Sequence, residues 1–259
     1  MPASRDFSFA RRPVWLLGHL VALVAVVGFS LLGMWQLDRH SARSRFDAVL
    51  DERIEAEPVA LETLLPLADP EQIEFLPVEA TGTYLTAGEV VLQARSLGGI
   101  SGHEVLTPLQ LGDGSVVIVD RGWVEIDAGE PPVAGAEPPA GEVTVTGWLR
   151  ATQVRRNVGP TDPPTGVLAR ISRVDIGRLA SQIETQLQPM WLQLASQEPP
   201  QPGAYPRLVP PPAPGEGPPH LSYAVQWFAF AAVVLVGYPI LLTRTATRRA
   251  RKDPAEAPR

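Results

Sequence analysis

His220-Leu-Ser-Tyr-Ala-Val-Gln-Trp227 opens a run that carries no charge from Leu221 to Leu242, and the fold turns on how that run is read. Its length matches a helix crossing a ~30 Å hydrocarbon core, which takes roughly 20 apolar residues. Backbone groups inside lipid must be satisfied within the segment, so helix is the conformation expected. At helical spacing His220, Tyr223, Ala224, Trp227 and Ala231 fall on one stripe. Its outer end is polar and aromatic, and its inner end is small and apolar.

Working outward, Val14 to Trp35 is a second charge-free segment, preceded by Arg11-Arg12-Pro13. It is longer than the ~7–15 residues of a signal-peptide apolar region, and no small-residue cleavage site follows it. It therefore reads as an uncleaved transmembrane helix. Arg5, Arg11 and Arg12 against Asp6 leave the first tail at +2; residues 243–259 stand at +4. Basic flanks favour the cytoplasmic side, which predicts a hairpin in a plasma or inner membrane. Both termini are then cytoplasmic and the middle region extracytoplasmic. That middle region holds −12 of a chain whose net charge is −6, which excludes a nucleic-acid partner. The lipid bilayer is the partner the composition does imply. There is no cysteine, so disulfides, thiolate metal sites and CxxC redox chemistry are excluded.

The organisation expected is a tail over 1–13, a span over 14–35, a helix and β-rich domain over 36–198, a Pro-rich connector over 199–219, a second span over 221–242 and a basic tail over 243–259. Phe46, Val49, Leu50, Arg53 and Ile54 are at helical spacing, so the first helix should continue to near Pro58. One or two further helical turns are expected over Leu61–Leu67. Strands are predicted at Val78–Tyr84, Glu89–Ala94, Glu104–Leu111, Val116–Val124, Glu142–Leu149, Val167–Ile171 and Met190–Ala195, with a short helix at Ile176–Ile183. The class is thus an α+β membrane protein, two transmembrane helices flanking an antiparallel, barrel-like domain. Residues 199–219 should be extended and polyproline-like, a semi-rigid approach to His220.

Catalytic patterns are lacking. Ser101, His103 and Glu104 are neighbours in a predicted turn after Gly98-Gly99, without the nucleophile, base and orienting group of a triad. There is no H-E-x-x-H, Asp-rich metal loop or Gly-rich phosphate loop. The chain reads as a non-enzyme. Of the four histidines, His19 suits a hydrogen-bonding role between helices. His40 and His103 are assigned to the region above the outer face and to a loop. His220 is different, because the first span exits at Trp35 where the second enters at Leu221. Trp35, Gln36 and Arg39 then share a level with His220, Tyr223 and Trp227. Two readings stay open: an aromatic belt with snorkelling polar groups, or a cofactor cradle made of the His220 imidazole, flat aromatic walls and Arg39 for an anionic group.

At these residues the chain resembles the surfeit-locus family of cytochrome oxidase assembly factors. The resemblance rests on Gly33-Met-Trp-Gln-Leu-Asp-Arg39, Phe75-Leu-Pro-Val78, Gly82-Thr-Tyr84, Gly102, Thr107-Pro108, Asp113-Gly114, Val119-Asp-Arg-Gly-Trp-Val124, Gly147-Trp-Leu-Arg150 and His220-Leu-Ser-Tyr-Ala-Val-Gln-Trp-Phe228. It departs at Asp120, where the family usually has Asn, and at Glu125. The resemblance implies an assembly factor for haem-copper oxidase that assists insertion of haem a into the catalytic subunit, with His220 the candidate iron ligand. Its implied partners are that subunit and the haem a synthesis machinery. An alternative from another class is a cofactor-free membrane adaptor that holds assembly intermediates.

Overall fold

Both charge-free segments become long helices in the computed structural model, which describes residues 7–64, 69–155, 159–183, 185–215 and 217–252. Helix α1 runs Pro13–Ile54 without a break. Its 42 residues take in both the apolar segment and the amphipathic continuation expected from Phe46 to Ile54. A last helix, α5, runs His220–Lys252. Both are long and apolar enough to cross a membrane by length and composition. Two compact units divide the chain, residues 1–47 with 215–259, and residues 48–214.

In the first unit α1 and α5 pack antiparallel. His19 meets Tyr238, Phe29 meets Trp227, Gly33 meets Phe228 and Gln36 meets His220. With Ala22 and Val26, which line a pocket against Val234 and Tyr238, the α1 positions step by three and four residues. That step keeps one seam facing a partner helix over many turns. Gly33 is part of the reason the helices approach so closely: a Cβ there would lie 2.8 Å from the Phe228 ring. Ala224 and Ala231 are buried in the same seam. At the basic end a single 3-10 turn, Ser8–Arg11, tucks Phe9 edge-on against Trp15 at 4.8 Å and beneath the Arg249 guanidinium at 4.9 Å.

The second unit is β-rich. After α1 come a two-residue strand β1 (Val59–Ala60), helical turns α2 (Leu61–Leu64) and α3 (Pro70–Ile73), then β2 (Pro77–Tyr84), β3 (Val90–Leu97), β4 (Ile100–Leu111), β5 (Val116–Glu125), β6 (Glu142–Ala151), β7 (Arg170–Ile171), α4 (Ile176–Ala180) and β8 (Leu187–Glu198). Residues 65–67 of the expected Leu61–Leu67 helix lie outside the described residues. β2 pairs with β6 along 77–83 and with β4 at 82–84, so the pairing passes through β6, β8, β5 and β4 and returns to β2.

Two expectations need correction. The sheet is mixed, not antiparallel throughout: β5 runs parallel to β8, β1 to β2 and β3 to β7. Parallel neighbours need long crossovers, and β5 and β8 are separated by β6, β7 and α4, a distance at which local turn signals are silent. His103 sits in strand β4 and is buried, not in a loop, because the turn closes at Gly98-Gly99 and pairing begins at Ile100.

β5 explains the architecture best. Val116 to Val124 is buried without interruption. Its inward residues Val117 and Val119 join a core with Val78, Tyr84, Leu109, Val145 and Leu192. The outward Ile118 packs with Leu92, Leu106, Leu179 and Trp191 under α4 and β7. A strand covered on both faces loses the usual alternation, hence the Val-Val-Ile-Val run.

The Pro-rich stretch after β8 is bonded to the sheet. Trp123 N–H donates to the Arg207 carbonyl at 2.7 Å and Arg207 N–H to the Trp123 carbonyl at 2.8 Å. Gln193 Nε2 donates to the carbonyls of Val209 and Pro210 at 3.0 and 3.2 Å. A segment poor in N–H donors is held by donors from the sheet. Gly122 makes this docking sterically feasible, since its φ is +123° and a Cβ there would stand 2.2 Å from the Arg207 carbonyl oxygen.

Candidate functional site

His220 is the first residue of α5, and its place is set before any ligand is considered. The His220 N–H donates to the Pro218 carbonyl at 2.8 Å and the Tyr223 N–H to the Pro219 carbonyl at 3.2 Å. These bonds satisfy donors that a helix start otherwise leaves unpaired. Across the seam, the half-buried Gln36 lies seven residues after Phe29 and three after Gly33, on the face α1 presents to α5. His220 Nδ1 and Gln36 Oε1 are 2.8 Å apart. The amide oxygen is an acceptor, so the contact has Nδ1–H donating. Nε2 then keeps its lone pair and can ligate a metal.

The other residues singled out in the sequence occupy distinct places. Trp227 stacks on Phe29 at 5.6 Å and meets Phe230 edge-on at 5.9 Å, so it belongs to a three-ring packing cluster two turns into α5. Arg39 lies one turn beyond Gln36, its guanidinium over the Trp35 ring at 5.6 Å. Trp35 and Tyr223 are 50% and 45% exposed, as residues at a solvent or lipid boundary would be. Gln36 and His220 are thus brought together, while Arg39 is folded onto Trp35 and Trp227 is engaged in helix packing. His19 has both ring nitrogens engaged: Nε2 lies 3.1 Å from the Ala10 carbonyl and Nδ1 2.8 Å from the Tyr238 hydroxyl. Its bland assignment as a hydrogen-bonding residue between helices is the one observed. Tyr238 was not foreseen, because a tyrosine within an apolar run carries no mark of its partner.

Among the described residues no three His, Asp or Glu side chains gather as a metal cage. A haem would need none, since its iron is already held by the porphyrin and the protein could hold it through a single imidazole nitrogen. His220 Nε2 fits that requirement, with its Nδ1 bond to Gln36 of the kind that orients histidine ligands.

The motif residues of the β-rich unit form a separate buried network. Arg121, 1% exposed, donates through Nη2 to the Ala136 carbonyl at 2.7 Å and Gln201 Oε1 at 2.9 Å, and its Nη1 is 3.4 Å from Glu89 Oε2. Glu89 also accepts from Thr107 and from the Val133 N–H. One guanidinium thereby fastens the loop between β5 and β6 to the Pro-rich segment that follows β8. Arg150 stacks on Phe75 at 4.6 Å and Trp191 at 5.2 Å, and donates to Gln193 Oε1 at 2.6 Å. Trp148 Nε1 donates to the Ile54 carbonyl at the end of α1, at 3.3 Å. Burial first, and the Glu104 charge second, push Asp120 well above the carboxylate range, while its Oδ1 accepts the Gly122 N–H at 3.0 Å. Burial raises Glu104 as well, opposed by Arg95. Burial and then Arg170 hold His103 below the imidazole range. Every arginine here has partners inside the fold, so the network is structural support.

A family model described as the SURF1 family matches residues 23–232, a span that begins inside α1, includes both halves of the Gln36–His220 pair and ends inside α5. The chain belongs to the SURF1 family. Its resemblance to an uncharacterized SURF1-like protein of Mycobacterium tuberculosis runs to 32% identity over 237 residues, 89% of this chain and 84% of that protein. A SURF1-like protein of Drosophila melanogaster is 29% identical over 240 residues, 83% of this chain and 74% of its own. The human Surfeit locus protein 1 is 29% identical over 164 residues, 56% of this chain and 53% of its own. The surfeit-locus assignment drawn from the residue motifs therefore stands.

Proposed function

We propose that this SURF1-family protein is an assembly factor for a haem-copper cytochrome oxidase, assisting haem a on its way into the catalytic subunit. In this reading α1 and α5 cross the cell membrane, both termini are cytoplasmic, and a barrel-like domain stands outside. Family membership supports the oxidase role. The single observation that supports haem as cargo is the His220–Gln36 pair, formed where the charge-free part of α1 stops and α5 begins. The imidazole sits where a haem could keep its hydrophobic tail among lipid and its propionates in the wet interface. When bound, the haem would supply an iron with an open position for an imidazole nitrogen. The protein's part is to hold Nε2 of His220, and to offer Arg39 as a cation to a propionate. The chain acts as a chaperone for its cargo and has no catalytic role. The haem a synthesis machinery and the catalytic subunit are its partners before and after loading.

The test is an absorption spectrum of the protein purified from a host that makes haem a. A Soret band that His220→Ala removes or shifts is expected. A colourless protein that still co-purifies with the catalytic subunit would instead identify a cofactor-free adaptor.

A further inference from the structure

The bond between Gln36 and His220 has two chemically distinct forms, and they differ in whether His220 can bind metal at all. A neutral imidazole has one N–H and one lone pair, and the bond at one nitrogen decides where the other stands. With the Gln36 oxygen facing the ring, as observed at 2.8 Å from Nδ1, the proton is on Nδ1 and the lone pair on Nε2. With the amide nitrogen facing the ring, the lone pair would be used at Nδ1 and Nε2 would carry the proton. Only the first form is a ligand at Nε2.

We propose that Gln36 is a positioning residue that sets the proton of His220 on Nδ1 and so keeps Nε2 ready to bind; this rests on the haem reading only for the identity of what binds. The surroundings support a fixed acceptor. Gln36 is half-buried on the packed face of α1, one turn from Gly33, where the Phe228 ring fills the space a Cβ would take. The His220 backbone is pinned by its N–H bond to the Pro218 carbonyl. Donor and acceptor thus come from two helices locked by the same seam, which limits how far either side chain can turn.

Two measurements test this on the full-length protein in lipid nanodiscs. Nitrogen-15 NMR of histidine-labelled, haem-free protein reads the tautomer of neutral His220 directly, with the signal assigned by its loss in His220→Ala. A protonated Nδ1 and an unprotonated Nε2 are expected, with mixed tautomers in Gln36→Leu and the wild-type pattern kept in Gln36→Glu, whose carboxylate can only accept. A protonated Nε2 in the wild type, or no change in Gln36→Leu, overturns the proposal. Titration with ferric protoporphyrin IX as probe should show affinity reduced ~10- to 100-fold in Gln36→Leu, the usual effect of removing a partner behind a ligand, and restored in Gln36→Glu. Equal affinity in wild type and Gln36→Leu, where His220→Ala abolishes binding, overturns the positioning role and leaves the haem reading intact. If the probe fails to bind the wild type while the tautomer still follows residue 36, the positioning role stands and the haem reading fails.

Discussion

Replacing Trp123 separates structural from site roles in the Arg121-Gly-Trp123 motif. The ring is 1% exposed and lies on Gly102, where a Cβ would be 2.4 Å from its atoms. A buried indole removes ~150–250 Å² from water, which at ~25 cal/mol per Å² is worth about 4–6 kcal/mol. Some of that is recovered as the site relaxes, so Trp123→Ala should cost ~3–5 kcal/mol. The indole Nε1 has no hydrogen-bond partner among the described residues, so Trp123→Phe gives up part of the volume but no polar bond, and should cost less than Trp123→Ala. Neither change touches the backbone pair between Trp123 and Arg207. The assay is denaturant unfolding of the full chain in mild detergent, followed by near-ultraviolet circular dichroism. A Trp123→Ala cost below ~1 kcal/mol, or a Phe variant as unstable as the Ala one, would refute the packing argument. Normal stability with failed oxidase assembly would make this strand end a site.

Asp120→Asn should keep the bond from the Gly122 N–H and remove a proton linkage. The folded carboxyl is raised by burial above its ordinary ~3.9, so between those values the native state holds a proton the unfolded chain has released, and stability falls as pH rises; a variant with an unchanged slope in unfolding free energy against pH would contradict this. Arg39→Ala should weaken haem retention ~10- to 100-fold, the equivalent of losing a charge-assisted bond of ~1.5–3 kcal/mol, while the spectrum is kept; combined with His220→Ala it should cost less than the two losses added, and strictly additive losses would mean no shared ligand. A reporter active only in the cytoplasm should work when fused after Arg259 and fail when inserted near Gly135; the reverse pattern would invert the topology.

Much of the local structure was legible in the sequence, since each signal acts over a few residues. Charge-free length and helical spacing predicted a first helix reaching near Pro58, a few residues past its observed end at Ile54, and β-branched runs between turn residues marked the strands to within a few positions. At Gly122 β4 skips opposite Arg121, and the Arg207 carbonyl fills the space a side chain would take. What tertiary structure decided was which distant residues meet. The parallel pairing of β5 with β8 has no local signature, because it depends on a crossover through β6, β7 and α4. Residues 199–219 read as a semi-rigid, polyproline-like approach to His220, and nothing in them reveals that Trp123, Gln193 and Arg121 offer partners to 201–210. The burial of Asp120 beside Glu104 follows from two strands and a bulge between them. The sequence put Gln36 and His220 at one level of two helices. Only the packed seam, closed at Gly33, turned one toward the other at hydrogen-bond distance, since the rotation of a helix about its own axis is set by what it packs against.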